Sequence, residues 1–134
     1  MINQLSVKTI RRLKVIVNAT PDVITLVSRQ GVEQDSKKQF FAEAVEVLEE
    51  IPPSGIHLRV SIVTGEIDGI AIESIVYGEI ERLPKYQEGI YYIVPELVAA
   101  AATKIGRTDC LTPGALVQDK KTGVILGCLF LQVY

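Results

Sequence analysis

Residues 77–128 read YGEIERLPKYQEGIYYIVPELVAAAATKIGRTDCLTPGALVQDKKTGVILGC, and this stretch decides the fold of the chain. The apolar run at 90–94 predicts a buried strand, and the residues that follow, 97–104, predict a helix. Pro95 suits the first turn of that helix, and Gly106 stands where a left-handed residue commonly ends one. The centre of the stretch is therefore predicted to be a strand that leads directly into a capped helix.

Hairpins are predicted on both sides of this helix. Downstream, a polar loop over 107–114 is followed by a hairpin over 115–133. Upstream, apolar and polar residues alternate over 56–63, and a second apolar segment covers 70–80. An Asp-Gly dipeptide at 68–69 lies between them and favours a tight turn, so this is the strongest hairpin signal in the chain.

The N-terminal part of the sequence has weaker signals. Two short strands are predicted at 13–17 and 23–27, on either side of an Asn-Ala-Thr-Pro turn. Apolar residues recur at helical spacing in the first half of 36–50, so we predict a helix there and leave a strand open at its end. The Pro-Pro-Ser-Gly sequence at 52–55 stops that element. Residues 1–12 are predicted to be a loose N-terminal arm, with a short helix as the alternative.

These patterns predict one α+β domain over residues 1–134, with a mostly antiparallel sheet and one or two helices packed on it. Hydrophobic residues make up 48% of the chain, which favours a folded core over disorder. No repeat, linker or low-complexity segment divides the sequence.

Charge and composition exclude several classes of partner. The chain has 14 basic and 16 acidic residues, and aromatic residues make up only 6%. Binding to nucleic acid needs concentrated positive charge or stacking rings, so we expect no nucleic-acid partner. No apolar stretch is long enough to span a bilayer and no leader pattern is present. We therefore expect a cytoplasmic protein without a membrane partner.

The sequence lacks motifs for metals and cofactors. Cys110 and Cys128 have no CxxC spacing, and His57 is the only histidine. A structural zinc site needs four nitrogen or sulfur ligands, and no Gly-rich loop has a phosphate-binding spacing. We therefore expect neither a metal site nor a cofactor.

The polar loop after the predicted helix carries the first candidate site, which consists of Arg107 and Asp109. Arg107 could hold a carboxylate or phosphate group with both arms of its guanidinium while Asp109 orients it. The alternative, which we favour, is that the two side chains pair with each other and fix the loop to the domain.

Two further polar groups are candidate ligand-binding residues. Tyr77 and Glu79 flank a glycine, and glycine within a strand often marks a bulge, which is the alternative interpretation. Asn18 and Thr20 lie in a turn, where such side chains more often bond to their own backbone than to a ligand. The sequence does not show whether these groups meet in one cleft.

The C-terminal segment suggests self-association. Residues 124–133 are apolar at nearly every position except Gln132. A strand that is apolar on both faces must be covered on both, either by the domain itself or by another subunit. We therefore expect a homo-oligomer.

Several blocks of the sequence carry a family resemblance: Asn18–Pro21, Pro53-Ser54-Gly55, Ile67–Ile70, Tyr77-Gly78-Glu79 and the span from Leu83 to Cys128. The most specific part of that span is Ile90–Val94 with Leu97–Ala99, followed by Arg107-Thr108-Asp109 and Pro113-Gly114. With them, the chain resembles a family of small uncharacterised proteins of phages, prophages and bacterial genomes. It departs from that family by an N-terminal extension and by an insert over 30–45. The family has no assigned activity, so the resemblance implies a mobile-element setting but no chemistry.

Three functional hypotheses remain. We favour a non-catalytic accessory protein of phage type that binds a small anionic ligand, such as a nucleotide, or a host protein. The second hypothesis is a small hydrolase or lyase that acts on a nucleotide-like substrate through Tyr77, Glu79, Asp109 or His57. The third is a structural or assembly protein. The first is favoured because no nucleophile, base and orienting group occur together in a known pattern.

Overall fold

The computed structural model describes residues 15–133, and for residues 75–79 it describes the backbone alone. The predicted N-terminal arm lies outside the described residues. Within them the chain forms ten strands and one helix, in the order β1 (Val15–Asn18), β2 (Ile24–Val27), β3 (Glu33–Gln34), β4 (Phe40–Ala42), β5 (Val47–Ile51), β6 (Arg59–Ile67), β7 (Ile70–Glu81), β8 (Ile90–Ile93), α1 (Glu96–Lys104), β9 (Cys110–Asp119) and β10 (Ile125–Val133).

Eight strands form the larger sheet, in which β1, β8, β9, β10, β2 and β5 are neighbours in that order. Strand β9 is long enough to pair with β8 through Cys110 and Leu111 and with β4 through Val117–Asp119, while β10 covers its other edge. β6 and β7 form a separate two-stranded antiparallel sheet.

The larger sheet is mixed. β1–β8, β8–β9, β4–β9 and β10–β2 are parallel pairs, whereas β9–β10, β2–β5 and β3–β4 are antiparallel. The sheet-rich α+β character is confirmed, but the expectation of a mostly antiparallel sheet is not. The reason is that α1 returns the chain from β8 to β9, and such a helical crossover joins parallel neighbours.

The predicted helix is confirmed at both ends. Pro95 is the N-cap residue of α1 and has extended backbone angles, and Glu96 lies in the first turn of the helix. At the other end Gly106 has a φ of 82°, its N–H donates to the Thr103 carbonyl, and the Arg107 N–H donates to the Ala102 carbonyl. These two bonds form a Schellman motif, which satisfies carbonyls that the end of a helix would otherwise leave open.

The helix covers one core of the domain with a face of small side chains. Its buried residues are Val98, Ala99, Ala101 and Ala102. They belong to a larger cluster of buried residues. The cluster also contains Leu58 just before β6, Val60 in β6, Tyr92 in β8, Val94 just after β8, and Cys110 at the start of β9. A second core, built from Val27, Ala42 and Val117, lies between β2, β4 and β9.

Two predicted elements are wrong. No helix occurs between residues 36 and 50, where the chain instead forms β4 and β5, and β5 is the strand that was left open at the end of this segment. Ala42 is fully buried beside β9, and β5 pairs with β2, so sheet pairing outweighs a short helical periodicity. The predicted loop over 107–114 is also shorter than expected, because β9 begins at Cys110.

Proline has no backbone N–H, and Pro113 lies in β9 at a position where no neighbouring strand needs that donor. The carbonyls of Asp109 and Leu111 accept bonds from β8, so alternate residues of β9 face that neighbour. Pro113 faces the same side, but β8 has already ended there, and β4 pairs only from Val117 onward. Proline therefore removes no ladder bond at this position.

A Gly127→Ala substitution is expected to lower the free energy of unfolding by about 2–3 kcal/mol, the upper part of the range for overpacking. A Cβ atom at this position would lie 2.6 Å from Val27 Cγ1 and 2.8 Å from the Thr25 carbonyl oxygen. The backbone of β2 cannot retreat without breaking its pairing. Chemical denaturation of the variant would measure the loss.

Gly123→Ala is a useful comparison, because a Cβ atom at Gly123 meets no atom within 4 Å although its φ is 75°. Its loss should stay near 1 kcal/mol, the cost of a positive φ for a residue with a side chain. Equal losses in the two variants would contradict a steric role for Gly127.

The β6–β7 hairpin is confirmed, with Asp68 and Gly69 at its turn and φ values of 49° and 80°. At its base Val60 is buried against the first core, and Ile80 packs beside it. From Ile62 to Glu73 every residue is exposed. The outer part of the hairpin therefore extends beyond the domain as a ribbon.

Candidate functional site

Asn18 is the centre of an internal hydrogen-bond network and is only 1% exposed. Its Nδ2 donates to the Asp22 carbonyl at 2.7 Å and to the Ile51 carbonyl at 2.9 Å. Its Oδ1 accepts from the backbone N–H of Thr20 at 3.0 Å and from the Thr20 hydroxyl at 2.7 Å. The amide has no remaining capacity for a ligand, because both donors and both acceptor positions are used.

The backbone of Asn18 joins the same network to a distant segment. Its carbonyl accepts bonds from the N–H and the hydroxyl of Ser54, in the Pro-Pro-Ser-Gly turn. The network thus connects the end of β1 with the end of β5 and the turn after it. The structure supports the interpretation in which Asn18 bonds to backbone rather than to a ligand.

Arg107 and Asp109 pair with each other. Arg107 Nε lies 3.0 Å from Asp109 Oδ1, and Arg107 Nη2 lies 2.7 Å from Asp109 Oδ2. The Asp109 side chain is 1% exposed and that of Arg107 is 16% exposed. Hydrogen bonding to the Asp109 carboxylate raises the pKa of Arg107, which holds the guanidinium in its charged form.

This pair fixes the segment between the helix and β9. The Arg107 guanidinium also lies 6.0 Å from the centre of the Tyr86 ring, at the limit for a cation–π contact. Arg107 donates to both oxygens of Asp109. The guanidinium group that would have to hold a ligand is therefore already bound to Asp109. The geometry is that of the loop-fixing pair.

The thiol next to this pair is not a nucleophile at neutral pH. Cys110 is buried, and its Sγ lies 4.0 Å from Asp109 Oδ1. Burial, with a further effect from the Asp109 charge, raises the pKa of Cys110 to about 11. A thiol needs its thiolate form to attack, so Cys110 is inert here.

Tyr77 and Glu79 lie in a backbone bulge of β7. Val60 pairs with Ile80 and Ser61 pairs with Val76, so the three residues between Val76 and Ile80 have no partners in β6. The bulge predicted from Gly78 is therefore present. The side chains of Tyr77 and Glu79 lie outside the described part of the molecule.

A cleft opens where β1 and β8 end. It has a volume of about 480 Å³, and its lining residues are Thr20, Pro21, Asp22, Ile24, Val94, Pro95, Glu96, Thr112, Pro113, Leu116 and Gln132. Of the candidate residues whose side chains are described, only Thr20 lines this cleft. Ligands of sheets with parallel strands commonly bind at this position, beyond the carboxyl ends of the strands.

Thr112 is the residue in the cleft that sequence reasoning missed. It is 5% exposed and lines the cleft, yet its hydroxyl has no hydrogen bond to another described residue. Among the described residues no buried side-chain oxygen or nitrogen lacks a partner, so this unpaired hydroxyl reaches the open surface of the cleft and is available to a molecule there. Because residues 107–114 were predicted to be a loop, the inward position of Thr112 in a strand was not expected.

The N-terminus of α1 contributes open donors beside Thr112. The first intrahelical bond runs from the Ala99 N–H to the Pro95 carbonyl, and no side chain caps the helix. The preceding N–H groups are therefore available to an acceptor. Asp22 and Glu96 add two carboxylates to the lining. None of the described residues that line the cleft is Lys, Arg or His.

Comparison with protein-family models, with curated proteins and with solved structures gave no match to this chain. Among the described residues, no group of three or more His, Cys, Asp or Glu side chains is placed to hold a metal ion. Within the same residues, no helix has the length and apolar character needed to cross a membrane.

Proposed function

We propose that this chain is a non-catalytic binding protein that holds a small ligand in the cleft at the ends of β1 and β8. The observation that carries the proposal is the hydroxyl of Thr112, which lines the cleft and has no partner among the described residues. A ligand that bonds to it gains a hydrogen bond without breaking one inside the protein.

The lining of the cleft favours an amine-bearing ligand with an apolar body. Val94, Pro113 and Leu116 offer apolar surface, and Asp22 and Glu96 attract a positive group. The open N–H groups of α1 and the Thr112 hydroxyl suit a carbonyl oxygen. An amino-acid amide or a short peptide end combines these features. The anionic ligand expected from the sequence has weaker support, because no basic side chain of the described residues lines the cleft.

A role as an accessory protein in a mobile-element setting remains part of the proposal. It rests on the family resemblance. A non-catalytic role is supported at one of the residues that the hydrolase or lyase hypothesis names, since both carboxylate oxygens of Asp109 accept bonds from Arg107.

The ligand class can be tested by thermal shift with two probes of equal apolar body and opposite charge, L-leucinamide and N-acetyl-L-leucine. AMP and a cyclic dinucleotide represent the anionic hypothesis. We expect leucinamide to stabilise the protein, by about 2.7 kcal/mol at a concentration one hundredfold above its dissociation constant. Stronger stabilisation by acetyl-leucine or by either nucleotide would contradict an amine-bearing ligand.

A Thr112→Val substitution is expected to weaken leucinamide binding about five- to tenfold, the worth of one hydrogen bond. The two side chains have similar shapes, and the hydroxyl has no partner among the described residues, so the free energy of unfolding should not fall. Isothermal titration and chemical denaturation would measure the two quantities.

Thr103→Val is the matched control at the other end of α1, where the hydroxyl donates only to the Ala99 carbonyl. It should leave leucinamide affinity unchanged. If Thr112→Val lowers stability but not affinity, the hydroxyl serves the fold and the proposal fails.

A further inference from the structure

The outer part of the β6–β7 hairpin, residues 61–74, forms a ribbon that we call the arm. Its side chains beyond Ser61 are exposed on both faces, although the arm is rich in isoleucine and valine. Val63 is 58% exposed, Ile67 61% and Ile70 65%. Two-stranded ribbons with exposed apolar surface are rarely stable alone in water, so this surface requires a partner.

The pairing register divides the arm into two faces of different chemistry. Residues that pair across the ribbon share a face, and faces alternate along each strand. Ile67 pairs with Ile70, Gly65 with Ile72 and Val63 with Ser74, so these six residues share one face, which we call the apolar face. It carries no charge. The opposite face carries Glu66, paired with Ala71, and Glu73, paired with Thr64.

Charge also changes along the length of the arm. Asp68 lies at the tip, in the turn. At the base, Arg59 begins β6 on the same side of that strand as Val63, and a cavity of about 170 Å³ is lined by His57, Arg59, Glu81 and Arg82. Neither Arg59 nor Arg82 has an ion pair with another described residue. The tip carries the acidic Asp68, whereas the base carries Arg59, its cross-strand partner Glu81, and Arg82, so that the two arginines outnumber the carboxylate.

We propose that two copies of this chain dimerise through their arms, with the apolar faces in contact and the arms antiparallel about a two-fold axis. This arrangement places the acidic tip of each arm at the basic base of the other, so Asp68 of each copy lies near Arg59 of its partner. A parallel arrangement would oppose like charges at both ends. Gly65 leaves the middle of the apolar face open, since a Cβ atom there would meet no atom within 4 Å.

The available area suits a weak, reversible dimer. From Arg59 at the base to Asp68 at the tip, the arm and its base together span about 30 Å, at about 3.3 Å per residue, and two strands are about 10 Å wide. A flat face of that size has an area of roughly 300 Å² per copy and roughly 600 Å² for the pair, which is the range of weak, transient contacts rather than of stable complexes. The contact does not involve the cleft, so it is independent of the proposed ligand.

The first test is a matched pair of substitutions on the full-length chain, Ile67→Glu on the apolar face and Ile62→Glu on the opposite face. Both isoleucines are exposed, at 61% and 48%, so both variants should fold. Sedimentation velocity over a concentration series should show a monomer–dimer equilibrium for the wild-type chain. Ile67→Glu should weaken dimerisation about tenfold, because it places a charge on the apolar face, and Ile62→Glu should change it little.

The orientation of the arms is tested by charge removal at the two ends. Arg59→Gln and Asp68→Asn should each weaken the dimer, and the double substitution should weaken it no more than the stronger single change, since both remove the same pairs. A wild-type chain that stays monomeric at millimolar concentration would overturn the proposal, as would a dimer unaffected by Ile67→Glu. Fully additive effects at Arg59 and Asp68 would overturn the antiparallel arrangement.

Discussion

Replacing Asn18 by alanine is expected to lower the free energy of unfolding by about 3–5 kcal/mol, because several buried partners lose their hydrogen bonds together. The Ile51 carbonyl would lose its donor and the Thr20 N–H its acceptor, and the Asp22 carbonyl and the donor of the Thr20 hydroxyl would keep only the 3.1 Å bond between them. Domains of this size are stable by about 5–15 kcal/mol, so the change removes a large part of the total. Urea denaturation followed by circular dichroism would measure it.

In an Asn18→Asp variant, the free energy of unfolding is expected to depend on pH. The new carboxyl keeps the shape of the amide and can still accept from Thr20, but when ionised it has no donor for the Asp22 and Ile51 carbonyls. Burial beside two carbonyls raises its pKa in the folded state above that in the unfolded state. The folded state then binds more protons than the unfolded one, so stability is retained at low pH and lost as pH rises through the folded-state pKa.

Thr20→Val provides the graded control, because it removes the hydroxyl but leaves the Asn18 amide and the Thr20 N–H in place. It should lower stability by about 1–2 kcal/mol, less than Asn18→Ala. A loss below 1 kcal/mol for Asn18→Ala, or a flat pH profile for Asn18→Asp, would contradict the network described for this residue.

Elements signalled by local chemistry were predictable from the sequence. The helix at Glu96–Lys104 follows from Pro95 at its start and Gly106 at its end, and the turn of the β6–β7 hairpin follows from Asp68 and Gly69. In each case the signal is a backbone conformation that few other residues adopt, so it survives in any tertiary context.

Elements that depend on distant partners were not predictable. Residues 36–50 carry a helical spacing of apolar side chains, yet β5 pairs with β2 and β4 pairs with β9. β4 meets a strand more than 70 positions further along the chain, and no local pattern encodes that pairing. The parallel arrangement of β1, β8 and β9 was missed for the same reason.

The residues of the candidate site also divide into some that the sequence indicates and one that it does not. Sequence reasoning identified Asn18, Thr20, Arg107 and Asp109 as polar groups of interest, and the described side chains of these residues are either buried or paired. It did not identify Thr112, which precedes a proline and reads as a loop residue. Only the course of β9 past the end of β8 brings its hydroxyl to the cleft. Polar residues in a pattern indicate importance, but their availability to a ligand depends on partners that the sequence does not show.

Arg107→Ala is expected to lower the free energy of unfolding by about 3–5 kcal/mol, because it leaves the carboxylate of Asp109 buried without its counter-charge. Asp109 is 1% exposed, whereas the Arg107 side chain is 16% exposed and can turn towards water once its partner is gone. Asp109→Ala should therefore cost less, about 1–3 kcal/mol. Urea denaturation of each variant would measure the two losses. The asymmetry is the signature of a pair in which one member is buried.

The double substitution distinguishes this pair from two independent residues. Arg107→Ala with Asp109→Ala removes both charges at once, so it should cost less than the sum of the single changes and no more than Arg107→Ala alone. Arg107→Lys keeps the charge but cannot form both the 3.0 Å and the 2.7 Å bonds, and should lose about 1–2 kcal/mol. Additive losses in the double variant would show that the two side chains stabilise the loop separately. A loss in Arg107→Lys as large as that in Arg107→Ala would show that geometry, rather than charge, holds Asp109 in the core.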